Sequence, residues 1–168
     1  MVHPARISEE LLLRDCVFNM VKRSGPGGQH RNKTESGVVV IHRETDVRAE
    51  ASEERSQHRN KKTAIFRLRL KLALNVRQEL SGDAPSEMWK QRTLRKSRIG
   101  VNPSHKDFPA MLSEALDTVF AFEFDFKQSS EYLGVSSTQL VRFLAVEKKA
   151  LAMVNDMRQE LGLRPLRP

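Results

Sequence analysis

Cysteine is almost missing from this chain: Cys16 is the only one in 168 residues. A lone thiol excludes an internal disulfide framework and a thiolate zinc cluster, and it suits a reducing compartment. No apolar run approaches the ~18 residues of a membrane-spanning helix. The first fifteen residues carry Glu9, Glu10 and Asp15, lack a signal-peptide core, and make a poor transit peptide. A cytoplasmic protein without a membrane partner is expected. His30, His42 and His58 are too widely spaced for a local metal motif, so no metal or other cofactor is expected. Acid is scarce over one long stretch. Between Arg55 and Arg98, only Glu79, Asp83 and Glu87 oppose thirteen Lys and Arg residues. The formal net charge is +8, and such an excess, concentrated rather than scattered, points to a polyanionic partner and favours nucleic acid.

What is present divides the chain into three parts. Cys16–Lys22 reads as a short strand, Val38–Ile41 as a β-branched strand, Glu44–Asp46 as a turn and Val47–Ala51 as a return strand. From Ser56 to about Leu80 the period becomes helical, with Ile65, Leu68, Leu72, Val76 and Leu80 on one stripe and Arg67, Lys71 and Gln78 opposite. The Ser81–Pro85 segment then ends the helix. The expected fold class is α+β, a small antiparallel sheet packed on a long helix and followed by a C-terminal helical module. The expected boundaries are residues 1–82 for the first domain, 83–106 for a basic linker and 107–168 for the helical module. Within that module, helices are expected over Phe108 to about Phe122, from an Asp125 cap to Leu133, and from about Lys148 to Leu161. The alternation of Phe120, Phe122, Phe124 and Phe126 also allows a strand. Tyr132–Leu144 has the pattern of a helix-turn-helix, with Gly134 at the turn, Ser136 as cap, and Leu140, Phe143 and Leu144 facing the core.

One segment stands apart: Gly25-Pro26-Gly27-Gly28-Gln29-His30-Arg31-Asn32-Lys33-Thr34-Glu35-Ser36. Glycine permits close backbone approach to a ligand because no Cβ intervenes, and cationic and hydrogen-bonding residues follow at once. Gly-Gly-Gln alone is weak evidence, expected by chance in roughly one chain in thirty of this length, and is compatible with an ordinary flexible turn. A phosphate-binding loop would place Gly directly before the Lys-Thr pair, whereas Asn32 precedes Lys33-Thr34 here.

The flanks narrow the choice. Arg23–Ser36 resembles the signature of the catalytic domain of class-I peptide chain release factors, and Glu54-Arg55-Ser56-Gln57-His58-Arg59-Asn60-Lys61 resembles that domain's second signature at the start of its long helix. The resemblance covers about Asp15 to Leu80. It implies hydrolysis of the ester joining a peptide to tRNA, with the loop in the peptidyl transferase centre of the large ribosomal subunit. Gly27, Gly28 and Gln29 are then the expected catalytic residues. The Gln29 backbone N–H would stabilise the oxyanion or the leaving 3′-hydroxyl, and the side-chain amide would place water. Lys22, Arg23, His30, Arg31, Asn32 and Lys33, with Arg55, Gln57, His58, Arg59, Asn60, Lys61 and Lys62, become expected RNA contacts. The expected partners are large-subunit rRNA and peptidyl-tRNA, with Gln29 a candidate for a methyltransferase and the chain acting as a monomer.

Full-length release factors carry further domains that read the stop codon. Residues 1–14 precede the resembling segment here, and residues 81–168 follow it with a helical pattern unlike those domains. The chain therefore looks more like short release-factor-like hydrolases that rescue stalled ribosomes, and stop-codon-independent release is the expected function. Many of that group end in a basic tail, whereas this chain ends Leu163-Arg164-Pro165-Leu166-Arg167-Pro168. The Lys90–Arg98 run is the expected substitute RNA-binding element. Two other readings stand beside this one: a non-catalytic ribosome-binding factor that uses the loop only for docking, and a DNA-binding protein reading through Ser137, Thr138, Gln139 and Arg142.

Overall fold

The first helix grows from a serine cap. Ser8 Oγ accepts from the Leu11 N–H at 3.3 Å to start α1 (Glu9–Arg14), which has acids in its first turn and Arg14 in its last. That polarity matches the helix dipole, and Leu12 is the residue it buries. The computed structural model describes residues 2–22, 36–80, 82–93 and 99–168, and the chain divides into two units, Met1–Val76 and Arg77–Pro168.

In the first unit β1 (Cys16–Val21), β2 (Gly37–His42) and β3 (Arg48–Ala51) form an antiparallel meander in that order. The β2–β3 turn passes through Asp46 at φ 54°. Val38 pairs with Ala51 and Val40 with Ala49, so these four share one face, and all are buried. Against β2 and β3 packs α2 (Gln57–Asn75), through Ala64, Ile65, Leu68, Leu72 and Ala73. The expected sheet on a long helix is therefore present.

Two details differ from the periodic reading. Arg67 and Lys71 do not merely face water: Arg67 donates to the Glu50 carbonyl and Lys71 to the Arg48 carbonyl, each at 2.8 Å. They cover backbone acceptors of an edge strand that would otherwise invite pairing. The helix also stops at Asn75, before the expected Leu80, because Val76 is extended and its carbonyl accepts from His3 Nε2 at 3.1 Å. His3 is buried, and its Nδ1 accepts from the Ala5 N–H, so the ring is held as the neutral Nε2–H tautomer.

The second unit contains α3 (Glu87–Thr93), α4 (Phe108–Ala121), α5 (Phe126–Leu133), α6 (Ser137–Val146) and α7 (Lys148–Glu160). Helix α4 is buried from Phe108 to Val119, polar residues included. Each of those polar groups has a partner. Glu114 accepts from the N–H and Oγ of Ser86, both at 2.6 Å, and Asp117 Oδ1 accepts from Arg77 Nη1 and the Gln78 N–H. Ser113 and Thr118 donate to carbonyls of their own helix.

Helix α3 falls inside the span expected to be a basic linker. Its Trp89 is fully buried, donates Nε1–H to the Leu133 carbonyl at 2.8 Å, and meets Phe143 edge-on. Seven residues whose two large apolar side chains, Met88 and Trp89, are adjacent give no readable period, which is why the sequence does not show this helix. The helix choice at Phe126 is correct: Asp125 Oδ1 caps α5, and Gly134 at φ 66° ends it. Ser136 and Gln139 complete a capping box for α6. Leu140, Phe143 and Leu144 are buried as expected.

Candidate catalytic loop and its basic flank

The glycine-rich segment joins β1 to β2. Val21 and Gly37 are register partners, so both ends of the 22–36 connection lie about 4.5–5.5 Å apart between Cα atoms. Gly27, Gly28 and Gln29, with Arg23, His30, Arg31, Asn32 and Lys33, lie outside the described residues. The two described ends are Lys22, which is exposed, and Ser36, which is half-buried.

The root of this connection is tightly built. A Cβ on Gly37 would come within 2.7 Å of Val21 Cγ2 and 2.9 Å of the Val21 carbonyl oxygen, so glycine is what lets the two strands close here. Beside it, Asn60 of α2 is fully buried. Its Nδ2 donates to the Ser36 carbonyl at 2.7 Å and the Glu54 carbonyl at 2.9 Å, while Oδ1 accepts from the Glu54 N–H at 3.0 Å. Two carbonyls and one N–H around one amide also fix which atom is nitrogen. Asn60, read from the sequence as an RNA contact, thus has its polar atoms committed inside the protein. The next residue, Lys61, is half-buried, and its Nζ sits 4.6 Å from the centre of the Phe18 ring on β1. Gly37 and Phe18 were missed by sequence reasoning, and Ser36, although it ends the first motif, was given no role, because their importance comes from strand register and packing.

The remaining expected contacts of the second motif, Arg55, Gln57, His58, Arg59 and Lys62, are exposed. Ser56 caps α2 by accepting from the Arg59 N–H at 3.3 Å, and no acid lies in the first turn. The helix therefore puts cations where its own dipole is already positive, an arrangement that costs stability. One acid approaches: Glu54 lies 3.8 Å from Arg59, with both side chains well exposed. Such a pair contributes at most about 1 kcal/mol. The result is a net positive surface at the same end of α2 that holds the loop root.

Among the described residues, no group of three or more His, Cys, Asp or Glu is placed to hold a metal ion, and no helix is long and apolar enough to cross a membrane. The helix-turn-helix face has little left for reading bases. Ser137 Oγ is engaged with Ser130 Oγ and the Phe126 carbonyl, and Gln139 Oε1 is taken by the α6 cap. Of the four candidates, Thr138 and Arg142 remain exposed.

Comparison with known proteins fits the geometry of the first unit. The family model described as the RF-1 domain matches residues 6–107. Peptide chain release factor 1 of Leptothrix cholodnii is 46% identical over 95 residues, which is 55% of this chain and 24% of that protein. Peptide chain release factor 1 of Carboxydothermus hydrogenoformans is 36% identical over 95 residues, 56% of this chain and 25% of that protein. Peptide chain release factor 2 of Buchnera aphidicola is 31% identical over 100 residues, 60% and 25% of the two chains. The chain spans about a quarter of the length of these relatives.

Proposed function

The chain belongs to the RF-1 domain family, and we propose that it is a release-factor-like peptidyl-tRNA hydrolase that frees peptides from stalled ribosomes without requiring a stop codon. What supports this reading is that Gly27-Gly28-Gln29 fall in the sequence between two strands that pair at Val21 and Gly37, and that the exposed basic start of α2 lies beside that pairing.

The chemistry follows from the residue types. A water oxygen attacks the ester carbonyl carbon, the carbonyl oxygen gains negative charge, and the bond to the tRNA 3′-oxygen breaks as that oxygen takes up a proton. The Gln29 main-chain N–H supplies a hydrogen bond to the developing negative charge, a contribution of ~2.7–4 kcal/mol in a water-poor site. Gly27 and Gly28 allow the backbone to aim that N–H in a crowded place. The Gln29 side-chain amide orients the water. Lys22, Arg23, His30, Arg31, Asn32 and Lys33 contact rRNA from the loop, while Arg55, Gln57, His58, Arg59, Lys61 and Lys62 contact it from α2. Large-subunit rRNA and peptidyl-tRNA are the partners, and the protein works as a monomer in the cytoplasm. Gln29 methylation by a methyltransferase belongs to the same reading, and the intact mass of protein from its own cells checks it. Catalysis is assigned to the first unit and target selection to the helices of the second.

The deciding experiment incubates the full chain with ribosomes that hold peptidyl-tRNA on mRNA lacking a stop codon. Peptide release is expected from the wild type. Gly28→Ala is expected to abolish it, because a Cβ obstructs the backbone, while Gln29→Ala keeps measurable release, because the N–H survives. Binding without release would make the protein a docking factor, and equal loss in both variants would rule out the backbone donor.

A further inference from the structure

We propose that Asn60 is a positioning residue for the catalytic loop, an inference that rests on reading residues 22–36 as the catalytic element. Three contacts converge where that connection meets the sheet. The Asn60 amide holds the Ser36 carbonyl, the last one before β2, at 2.7 Å. Its neighbour Lys61 lies over Phe18 on β1, the other strand bounding the connection. Between them, Val21 and Gly37 approach so closely that no side chain fits on Gly37. The second motif therefore grips both sides of the loop root from two consecutive residues of α2.

The same amide also fastens the helix start, through both the N–H and the carbonyl of Glu54. One side chain thus fixes the loop exit relative to the exposed cations that begin α2. Arg55 and Arg59, both exposed, precede it by five residues and by one. On an rRNA surface, phosphates gripped by those cations would define where the loop root lies. Geometry set in this way before binding removes the cost of ordering reacting groups during the reaction. Asparagine suits the task because it presents two N–H donors and one carbonyl acceptor on a short stem. Aspartate at this position would instead turn a carboxylate toward two carbonyl oxygens.

Asn60→Asp and Asn60→Ala, made in the full chain, test the assignment. For each, three quantities are measured well below the melting temperature: affinity for stalled ribosomes, the single-turnover release rate at saturating protein, and hydrogen exchange. The expected result is a release rate at least tenfold slower, ribosome affinity within about twofold of wild type, and faster exchange confined to the peptide spanning 22–37 and, in Asn60→Ala, to the Glu54 N–H at the helix start. Weakened affinity with a normal saturated rate would make Asn60 an RNA contact and overturn the proposal. Exchange raised equally throughout the first unit, or failure of both variants to fold, would make it a general fold residue and overturn it as well. Should the wild type itself release no peptide, the catalytic reading fails. The exchange measurement then still reports whether Asn60 holds the loop root.

Discussion

The Cys16 thiol is buried at the start of β1 and donates to the Leu12 carbonyl at 3.2 Å. Burial pushes its pKa up, Asp15 adds to that, and Arg43 partly opposes it. The thiolate is the nucleophile, so the native protein is expected to react slowly with an aromatic disulfide reagent at pH 7 and rapidly once unfolded. Rapid labelling of folded protein would contradict the packing of α1 on β1. Asn60 and Arg59 show how far chemistry at this scale depends on neighbours. They are adjacent in sequence and both polar, yet one is sealed in the protein and the other exposed. Composition assigned them one role. Burial assigns them two.

The two serine-capped helices α2 and α6 make a useful contrast within one protein. Ser136 and Gln139 close a capping box at α6, whereas Ser56 has Arg59 at the equivalent position of α2. A residue able to return a hydrogen bond to the cap would satisfy another orphan N–H and remove a cation from the positive end of the dipole. Arg59→Gln is therefore expected to stabilise the first unit by ~0.3–1 kcal/mol, read as a higher melting temperature, while weakening ribosome binding. A gain in both properties would show that the cation is there by accident of surface composition. The length of α2 belongs to this scale too. The apolar stripe through Val76 and Leu80 suggested continued helix. The carbonyl of Val76 instead bonds His3, and the following residues bond Asp117. Those partners lie 73 and about 40 residues away in sequence, beyond the reach of any local periodicity.

For the molecule as a whole, the excess of positive charge sets how binding responds to salt. If six or more phosphates are neutralised, affinity for ribosomes is expected to fall by roughly a thousandfold or more between 50 and 200 mM monovalent salt. A drop of only a few-fold would mean that the basic flank faces solvent in the complex. The charge is divided unevenly along the chain, with thirteen bases between residues 55 and 98, from the residue before the α2 cap to the segment that follows the helix. The second unit contributes a closed helical core built around α4, with Glu114 and Asp117 paired inside it.

Much of this was written locally. Strand alternation, the β-branched run of β2, the Asp125 and Ser136 caps and the Gly134 stop each depend on residues within a few positions of one another, so sequence alone determined the sheet, the long helix and the helix-turn-helix. It also singled out both motifs, because glycine and clustered cations are conspicuous in any context. Tertiary structure alone decided what the second motif does at the loop root. The grip of Asn60 on Ser36, the cover of Lys61 over Phe18, and the close pairing of Gly37 with Val21 join residues 24, 43 and 16 positions apart. Such contacts arise only when helix and sheet pack together, because a hydrogen bond depends on distance in space and orientation, whatever the separation along the chain.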